Sequence, residues 1–193
     1  MAPKQIALYI FIVKEWLRMK RSDLVNKFQE NLEFMNQTIY EPNQLIVESI
    51  QAENQNAEYG AGTFQLASKT VRFRVAKKTP TKIGQFVVFW EKDSTNKNRP
   101  YLSEEAPDLL VITTFKNKDE WGQFIFPKKI LIEKNILQTS FSKGKMAMRV
   151  YPSWDKPTSK QAIHTQKWQL PYFVDISILN QASIDRINKL YTF

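Results

Sequence analysis

Apolar and basic side chains alternate along one short stretch of the chain. Val71, Phe73 and Val75 alternate with Arg72 and Arg74, and a β-strand points successive side chains to opposite faces. The pattern predicts a strand that packs three apolar side chains on a core and presents two arginines to solvent. The sheet that contains this strand is therefore expected to have one basic face.

Patterns elsewhere predict helices at both ends of the chain and strands between them. Two helices are expected first, over residues 4–20 and from Ser22 to about Met35, with Ser22 as the N-cap of the second. Residues 44–51 fit neither a helical nor a strand period and stay unassigned. Further strands are predicted at residues 85–90, 109–115, 123–126 and 146–151, and an amphipathic helix at residues 178–191.

This order of elements predicts an α+β fold in a single domain, residues 1–193, with a mixed or antiparallel sheet of about five strands flanked by N- and C-terminal helices. Residues 85–90 are almost continuously apolar, as in a central strand that is covered on both sides. The segment from Thr79 to Gly84 is expected to form the turn of a hairpin before that strand. Gly60 and Gly62 indicate a flexible bend.

The amino-acid composition excludes several classes of site. The chain contains no cysteine, which rules out disulfides, thiolate zinc sites, iron–sulfur clusters and thiol nucleophiles. His164 is the single histidine, so a histidine-rich metal site is excluded as well, and this residue is expected at the surface. We predict a cytoplasmic protein without a metal or small-molecule cofactor.

One apolar run near the N-terminus raises the question of a membrane segment. Residues 6–13 are all apolar, but a helix needs about 20 such residues to cross a bilayer. Basic residues follow the run, where a signal peptide would have a small-residue cleavage site. We therefore predict a buried helix here, with neither a membrane span nor a signal peptide.

Positive charge is concentrated in a few segments of the chain. The net charge is +9, and residues 59–90 contain no acidic residue. Cations on a strand and its adjoining turn suit contacts with nucleic-acid phosphates. The side chains predicted to make these contacts are Lys69, Arg72, Arg74, Lys77, Lys78 and Lys82. Alternatively, these cations pair within the protein with the acidic segment at residues 22–58.

A second basic stretch, residues 143–167, places aromatic rings among its cations. Nucleobases stack on such rings, each contributing about 1–3 kcal/mol. Arg149 is predicted to contact phosphate, and Trp154, between two prolines in an expected loop, is the preferred stacking residue. The predicted partner is nucleic acid, either DNA or RNA, bound with weak sequence preference.

A magnesium-dependent nuclease is the first alternative. Such an enzyme holds Mg²⁺ between carboxylates beside a lysine, in a Pro-Asp…(Asp/Glu)-x-Lys pattern. Asp108 follows a proline and precedes a predicted strand, and Lys128 follows the next strand. Phe126 stands where the second acid belongs, so Glu58 or Glu48 would have to complete the site. Mg²⁺ is expected only in this case.

A second alternative is an adaptor whose basic face binds an acidic protein or the anionic surface of a membrane. The chain has neither a Walker loop nor a Gly-x-Gly-x-x-Gly run, so nothing indicates a nucleotide-dependent enzyme. A binding role is better supported by the sequence than a catalytic one.

Three blocks of sequence are more distinctive than the rest. They are EYGAGTFQL at residues 58–66, FRVAKKTPTKIGQFVVFWEKD at residues 73–93 and TQKWQLPYF at residues 165–173. Together they resemble the MepB-like family of small bacterial proteins, and the likeness extends over most of the chain. The family is named for being encoded with a multidrug efflux pump and its repressor, and it has no agreed catalytic residues.

The resemblance implies a cytosolic bacterial protein whose core is similar to restriction-endonuclease-like folds. Such a core would account for the spacing of Asp108 and Lys128. With Phe126 in place of the acid, the resemblance implies a nuclease scaffold that has been retained for binding.

Overall fold

The computed structural model describes residues 28–117, 119–177 and 179–192. These residues form eleven strands, three of which have seven residues. The strands are β1 (Val47–Ala52), β2 (Gly62–Leu66), β3 (Lys69–Val75), β4 (Lys77–Lys78), β5 (Gln85–Val88), β6 (Glu91–Lys92), β7 (Asn98–Arg99), β8 (Leu109–Phe115), β9 (Trp121–Pro127), β10 (Ala147–Val150) and β11 (Phe173–Asp175).

Four α-helices accompany the strands within the described residues. They are α1 (Phe28–Met35), which continues as a π-helical turn (Asn36–Tyr40), α2 (Lys128–Glu133), α3 (Lys160–Gln169) and α4 (Gln181–Tyr191). The side chains of Ser159 and Asn180 cap α3 and α4 by accepting hydrogen bonds from backbone amides, an arrangement worth about 1 kcal/mol per helix.

The predicted helices are confirmed wherever the structure describes them. α1 ends at Met35 as expected, and α4 occupies most of the predicted C-terminal helix. The helix predicted at residues 4–20 lies outside the described residues. No helix in the described part of the chain is long and apolar enough to cross a membrane.

The larger sheet has six strands in the order β1-β2-β3-β8-β9-β11. β3 and β8 run parallel, and the other neighbours are antiparallel. The predicted α+β fold with a mixed sheet is thus confirmed. Most of residues 44–51, which fit no period, belong to β1, and the expected bend at Gly60 precedes β2.

A smaller sheet has three strands in the order β10-β5-β4. The chain leaves the large sheet after Val75, and β4 then pairs with β5 across the predicted turn. The prediction that β5 is covered on both sides is wrong. Gln85 and Val87 are buried whereas Phe86 and Val88 are half-exposed, because only one face of this small sheet packs on the core.

The large sheet is the middle layer of the fold, with a hydrophobic cluster on each face. One cluster joins α1 and α4 to side chains such as Phe73 and Val111. The other joins the inner face of the small sheet, through Val87, to Ile112 and Phe126. The outer face of the small sheet therefore remains at the molecular surface.

Candidate nucleic-acid interface

The two arginines of β3 do not face solvent, so the prediction of an exposed basic face on this strand is wrong. Arg74 is completely buried, and its Nη2 lies 2.6 Å from Oε2 of Glu53. Arg72 donates from Nε to Oε1 of the same carboxylate at 3.1 Å and stacks over the ring of Tyr101 at 3.5 Å. The face of β3 that carries them is covered by the second layer of the fold.

The alternative of pairing within the protein is therefore confirmed for these two residues. Glu53 belongs to the acidic segment and its carboxylate pairs with both guanidinium groups, while the Tyr101 hydroxyl accepts a further hydrogen bond from Arg74 at 2.9 Å. Buried charges are tolerated only when they are paired and hydrogen-bonded. Arg72 and Arg74 are consequently structural, and neither guanidinium is free to contact a phosphate.

A row of three side chains crosses the outer face of the small sheet. Lys77 on β4 is directly opposite Phe86 on β5, and Arg149 on β10 is opposite the same phenylalanine. Directly opposed residues of antiparallel strands share a face. All three are half-exposed, and Arg149 lies 5.7 Å from the centroid of the Phe86 ring. An aromatic ring is thus flanked by a cation on each side.

A cleft of about 890 Å³ opens beside this row, between β10 and α3. Among the described residues that line it, none is acidic. We call it the basic cleft, after five of its lining side chains: Lys82, Lys134, Lys145, Arg149 and Lys160. His164, exposed as predicted, lies on the same wall.

The walls of the basic cleft are held in place by specific contacts. Arg149 donates hydrogen bonds to the carbonyl of Gly84 and the hydroxyl of Thr79, at 3.1 and 2.9 Å, and so fixes the turn that carries Lys82. Trp168 on α3 lies 5.5 Å from the buried ring of Phe126. The ammonium of Lys134 lies 5.9 Å from the Trp168 ring. Cations and aromatic surface are therefore combined in one cleft.

The remaining predicted contact residues are spread over the molecule. Lys77, Lys82 and Arg149 lie on the row or in the cleft. Lys78 points to the other face of β4 and donates to the carbonyl of Lys116, and Lys69 lies at the start of β3 beside Asp108.

Trp154 packs edge-on against Phe173 of β11, with the ring centroids 5.3 Å apart. It is half-buried against the hydrophobic cluster on that side of the large sheet. The ring is therefore engaged in packing. Phe86 and Trp168 pack against the same cluster, but they also lie beside the cations Arg149 and Lys134, respectively.

Two of the three residues of the predicted nuclease site come together. The Lys128 amide donates to the carbonyl of Asp108 at 2.8 Å, because β8 and β9 are antiparallel neighbours, and both residues line a cavity of about 480 Å³. Phe126, in the position of the missing acid, is completely buried. Glu58 lines a different cavity and lies 3.7 Å from Lys77.

The Asp108 carboxylate already has partners. Oδ2 accepts hydrogen bonds from the amide and the hydroxyl of Thr70, both at 2.8 Å. The Thr70 amide, above all, lowers the pKa of Asp108. Within the described residues, no group of three or more acidic or histidine side chains is arranged to hold a metal ion. Asp108 instead ties the start of β3 to the start of β8.

Sequence reasoning missed Phe86, Lys134 and Trp168 as residues of the site. The apolar run predicts a doubly covered strand for Phe86, although the polar Gln85 beside it indicates alternation. Lys134 reaches the cleft from the end of α2, which no local pattern reveals. Trp168 lies in a conspicuously aromatic block, but only the fold places it opposite β10.

Comparison with known proteins agrees with this architecture. The MepB-like family matches residues 53–175, a span that contains Glu53, the row on the small sheet and the whole basic cleft. A crystal structure of MepB is similar to the protein with a TM-score of 0.65 and 46% sequence identity, covering 67% of this chain and 86% of that one. No curated protein matches. Because the family match extends over more than half of the 193 residues, the chain belongs to the MepB-like family.

Proposed function

We propose that the protein binds single-stranded nucleic acid across the outer face of the small sheet and along the basic cleft. The observation that carries this proposal is the row of Lys77, Phe86 and Arg149, which continues into a cleft lined by cations without an acid among its described residues. The binding is cytoplasmic and requires no cofactor.

Electrostatics supports a polyanionic ligand. Five cations face one cleft, and their mutual repulsion is relieved when phosphates bind and release their counterions. Lys82, Lys145 and Lys160 are exposed, so each can reach a phosphate without loss of a partner inside the protein.

Aromatic surface among these cations favours single strands over duplex. An unpaired base presents its face to a ring such as Phe86, whereas the faces of bases in a duplex are already stacked. Arg149 can add a guanidinium plane beside the same base. Because phosphate contacts and stacking do not distinguish bases strongly, we expect weak sequence preference over most of this surface.

The test is a pair of charge-matched double variants. Lys145→Glu with Lys160→Glu reverses two cations of the basic cleft, and Lys97→Glu with Lys129→Glu reverses two exposed lysines outside it. We expect the first pair to abolish most binding of a labelled single strand and the second to bind almost as the wild type does.

The salt dependence gives an independent measure. Each lost phosphate contact should lower the slope of log K against log salt concentration by about 0.7 for a single strand. Binding that falls equally in both double variants would show only a dependence on net charge and would overturn the proposed site. Phe86→Leu, which keeps an apolar side chain but removes the ring, tests stacking and should weaken binding about tenfold.

A further inference from the structure

Phe141 presents its aromatic ring to solvent. The residue is 99% exposed, whereas the other large apolar residues at the surface of the described chain are between 37% and 67% exposed. Burial of a phenylalanine side chain ordinarily stabilises a protein. Phe141 makes no such contribution to the core, and its whole ring is accessible to a ligand.

The turn that carries Phe141 has a defined conformation. Thr139 and Ser142 pair across it, and the Thr139 amide donates to the Ser142 carbonyl at 2.9 Å. The Phe141 amide donates to the Thr139 hydroxyl at 3.1 Å. Gln138, at the base of the turn, donates from its amide to the carbonyl of Tyr101 at 2.9 Å. A ligand that contacts the ring therefore does not have to order a loop first.

The same turn adjoins the basic cleft. The Lys145 amide donates to the Ile136 carbonyl at 2.8 Å, which joins the chain that enters the turn to the chain that leaves it, and both residues line the cleft. Phe141 is four residues from Lys145, so their Cα atoms are at most about 14 Å apart. A strand that leaves the cleft beside Lys145 therefore passes close to the ring.

The charge around the turn favours a polyanion. Residues 134–154 contain four cations, Lys134, Lys143, Lys145 and Arg149, and no acidic residue. Lys143, two positions from Phe141, is exposed. A phosphate backbone that follows these cations out of the cleft meets no like charge from this segment.

The small extent of the apolar surface limits what the ring can bind. Ser140, Ser142 and Lys143 flank Phe141 in the chain, so the turn offers one ring and no wider apolar patch. Stable protein–protein interfaces bury about 1,600 Å² around an apolar centre. A nucleobase stacks on a single ring, with its phosphate beside a nearby cation. An unpaired base therefore fits this turn better than a protein surface does.

We propose that Phe141 stacks on an unpaired base of the strand bound in the basic cleft, at the point where the strand leaves it beside Lys145. This inference rests on the proposed function and extends the binding surface beyond the cleft. The contact selects single strands and not a particular base, because every base has an aromatic face but duplex bases are already stacked.

The experiment compares the binding of a labelled oligouridine by the wild type, Phe141→Ser and Phe141→Tyr. We expect Phe141→Ser to bind about tenfold more weakly, and Phe141→Tyr, which keeps a ring, to bind as the wild type does. The slope of log K against log salt concentration should stay unchanged in both variants, because a stacked ring releases no counterions. Ile46→Ser, which removes another exposed apolar side chain, is the control and should bind normally.

A fluorescent base reports the stacking directly. 2-Aminopurine, whose fluorescence falls when it stacks, is placed at each position of the oligonucleotide in turn. At the position that meets Phe141, binding should quench the fluorescence with the wild type but not with Phe141→Ser. Because the residue is 99% exposed, the free energy of unfolding should be the same in both proteins. A large loss of stability would show a structural role and overturn the inference.

Further outcomes separate this inference from the proposed function. Oligouridine that binds the wild type and Phe141→Ser equally would overturn the stacking contact and leave the proposed function intact. Weak binding by Phe141→Ser beside normal binding by the double variant of Lys145→Glu and Lys160→Glu would support the contact and overturn the cleft. Absence of oligonucleotide binding by the wild type would overturn both. Phosphatidylglycerol vesicles that bind the wild type but not Phe141→Ser, while oligouridine binds both equally, would replace the base by a membrane surface.

Discussion

Glu53 holds the buried guanidinium of Arg74 at 2.6 Å between the two sheets, and its removal would leave a charge in the core without a counter-ion. We expect Glu53→Gln to lower the free energy of unfolding by about 3 kcal/mol. Glu58→Gln, at the exposed pair with Lys77, should change it by less than about 1 kcal/mol. Urea unfolding of both variants checks this, and equal stability of the two would contradict the assigned role of Glu53.

The contact between Glu53 and Arg74 also predicts the effect of replacing both Arg72 and Arg74 by glutamate. Three carboxylates would then meet in the buried layer, so we expect this double variant to lose its cooperative unfolding transition. Circular dichroism on heating measures this loss. A double variant that folds and has lost only nucleic-acid binding would contradict this. It would support the exposed basic face that the sequence predicted.

Asp108 joins β3 to β8, and we expect it to stabilise the fold and not to bind a catalytic metal ion. Asp108→Ala should lower the free energy of unfolding by about 1–2 kcal/mol, because the Thr70 amide and hydroxyl lose their acceptor. With Mg²⁺ present, we expect labelled DNA and RNA to stay intact. Cleavage by the wild type that Asp108→Ala removes would contradict this and establish the nuclease alternative.

Asp155 should make stability depend on pH in the acidic range. Burial raises its pKa, partly opposed by Lys78, so the folded protein favours the neutral acid. The stabilisation is complete below the ordinary pKa of an aspartic acid and is lost as pH rises through the raised one. Asp155→Asn should therefore be more stable than the wild type at pH 7 and equally stable at pH 3. Asp185→Asn, at an exposed position, is the control. The free energies of unfolding of the wild type and both variants at pH 3 and pH 7 test the prediction.

Gly84 links the stability of the turn to binding. Its φ is +84°, and an added Cβ would lie 2.6 Å from Cε1 of Tyr151. We expect Gly84→Ala to cost about 2 kcal/mol and to weaken binding of single strands, because Arg149 donates to the Gly84 carbonyl. Exposed Thr81→Ala in the same turn should affect neither. Thermal melts and binding titrations of the two variants test the link.

Local pattern was sufficient to locate five of the eleven described strands and two of the four described α-helices. The alternation at Val71, Phe73 and Val75 placed β3 and its buried face correctly, and the apolar spacing placed α4. It could not show what covers the opposite face of β3, since that depends on Tyr101 and a second sheet distant in sequence. For the same reason, the sequence predicts a core position for Phe86 and an exposed one for Trp154, whereas both side chains are half-buried. The clustering of charge predicts a candidate site, but only folding separates the paired arginines from the exposed lysines.

The parallel pair of β3 and β8 cannot be joined by a tight turn, and the chain uses residues 76–108 to make the connection. Two strands of the small sheet, the turn with Lys82 and the side chain of Trp90 lie in that connection. It also contains Tyr101, which contacts the buried Arg74. The other residues of the basic cleft lie between Lys134 and Gln169, and pairing of β10 with β5 brings the two parts together. The proposed binding surface therefore cannot form before these distant segments of the chain have met.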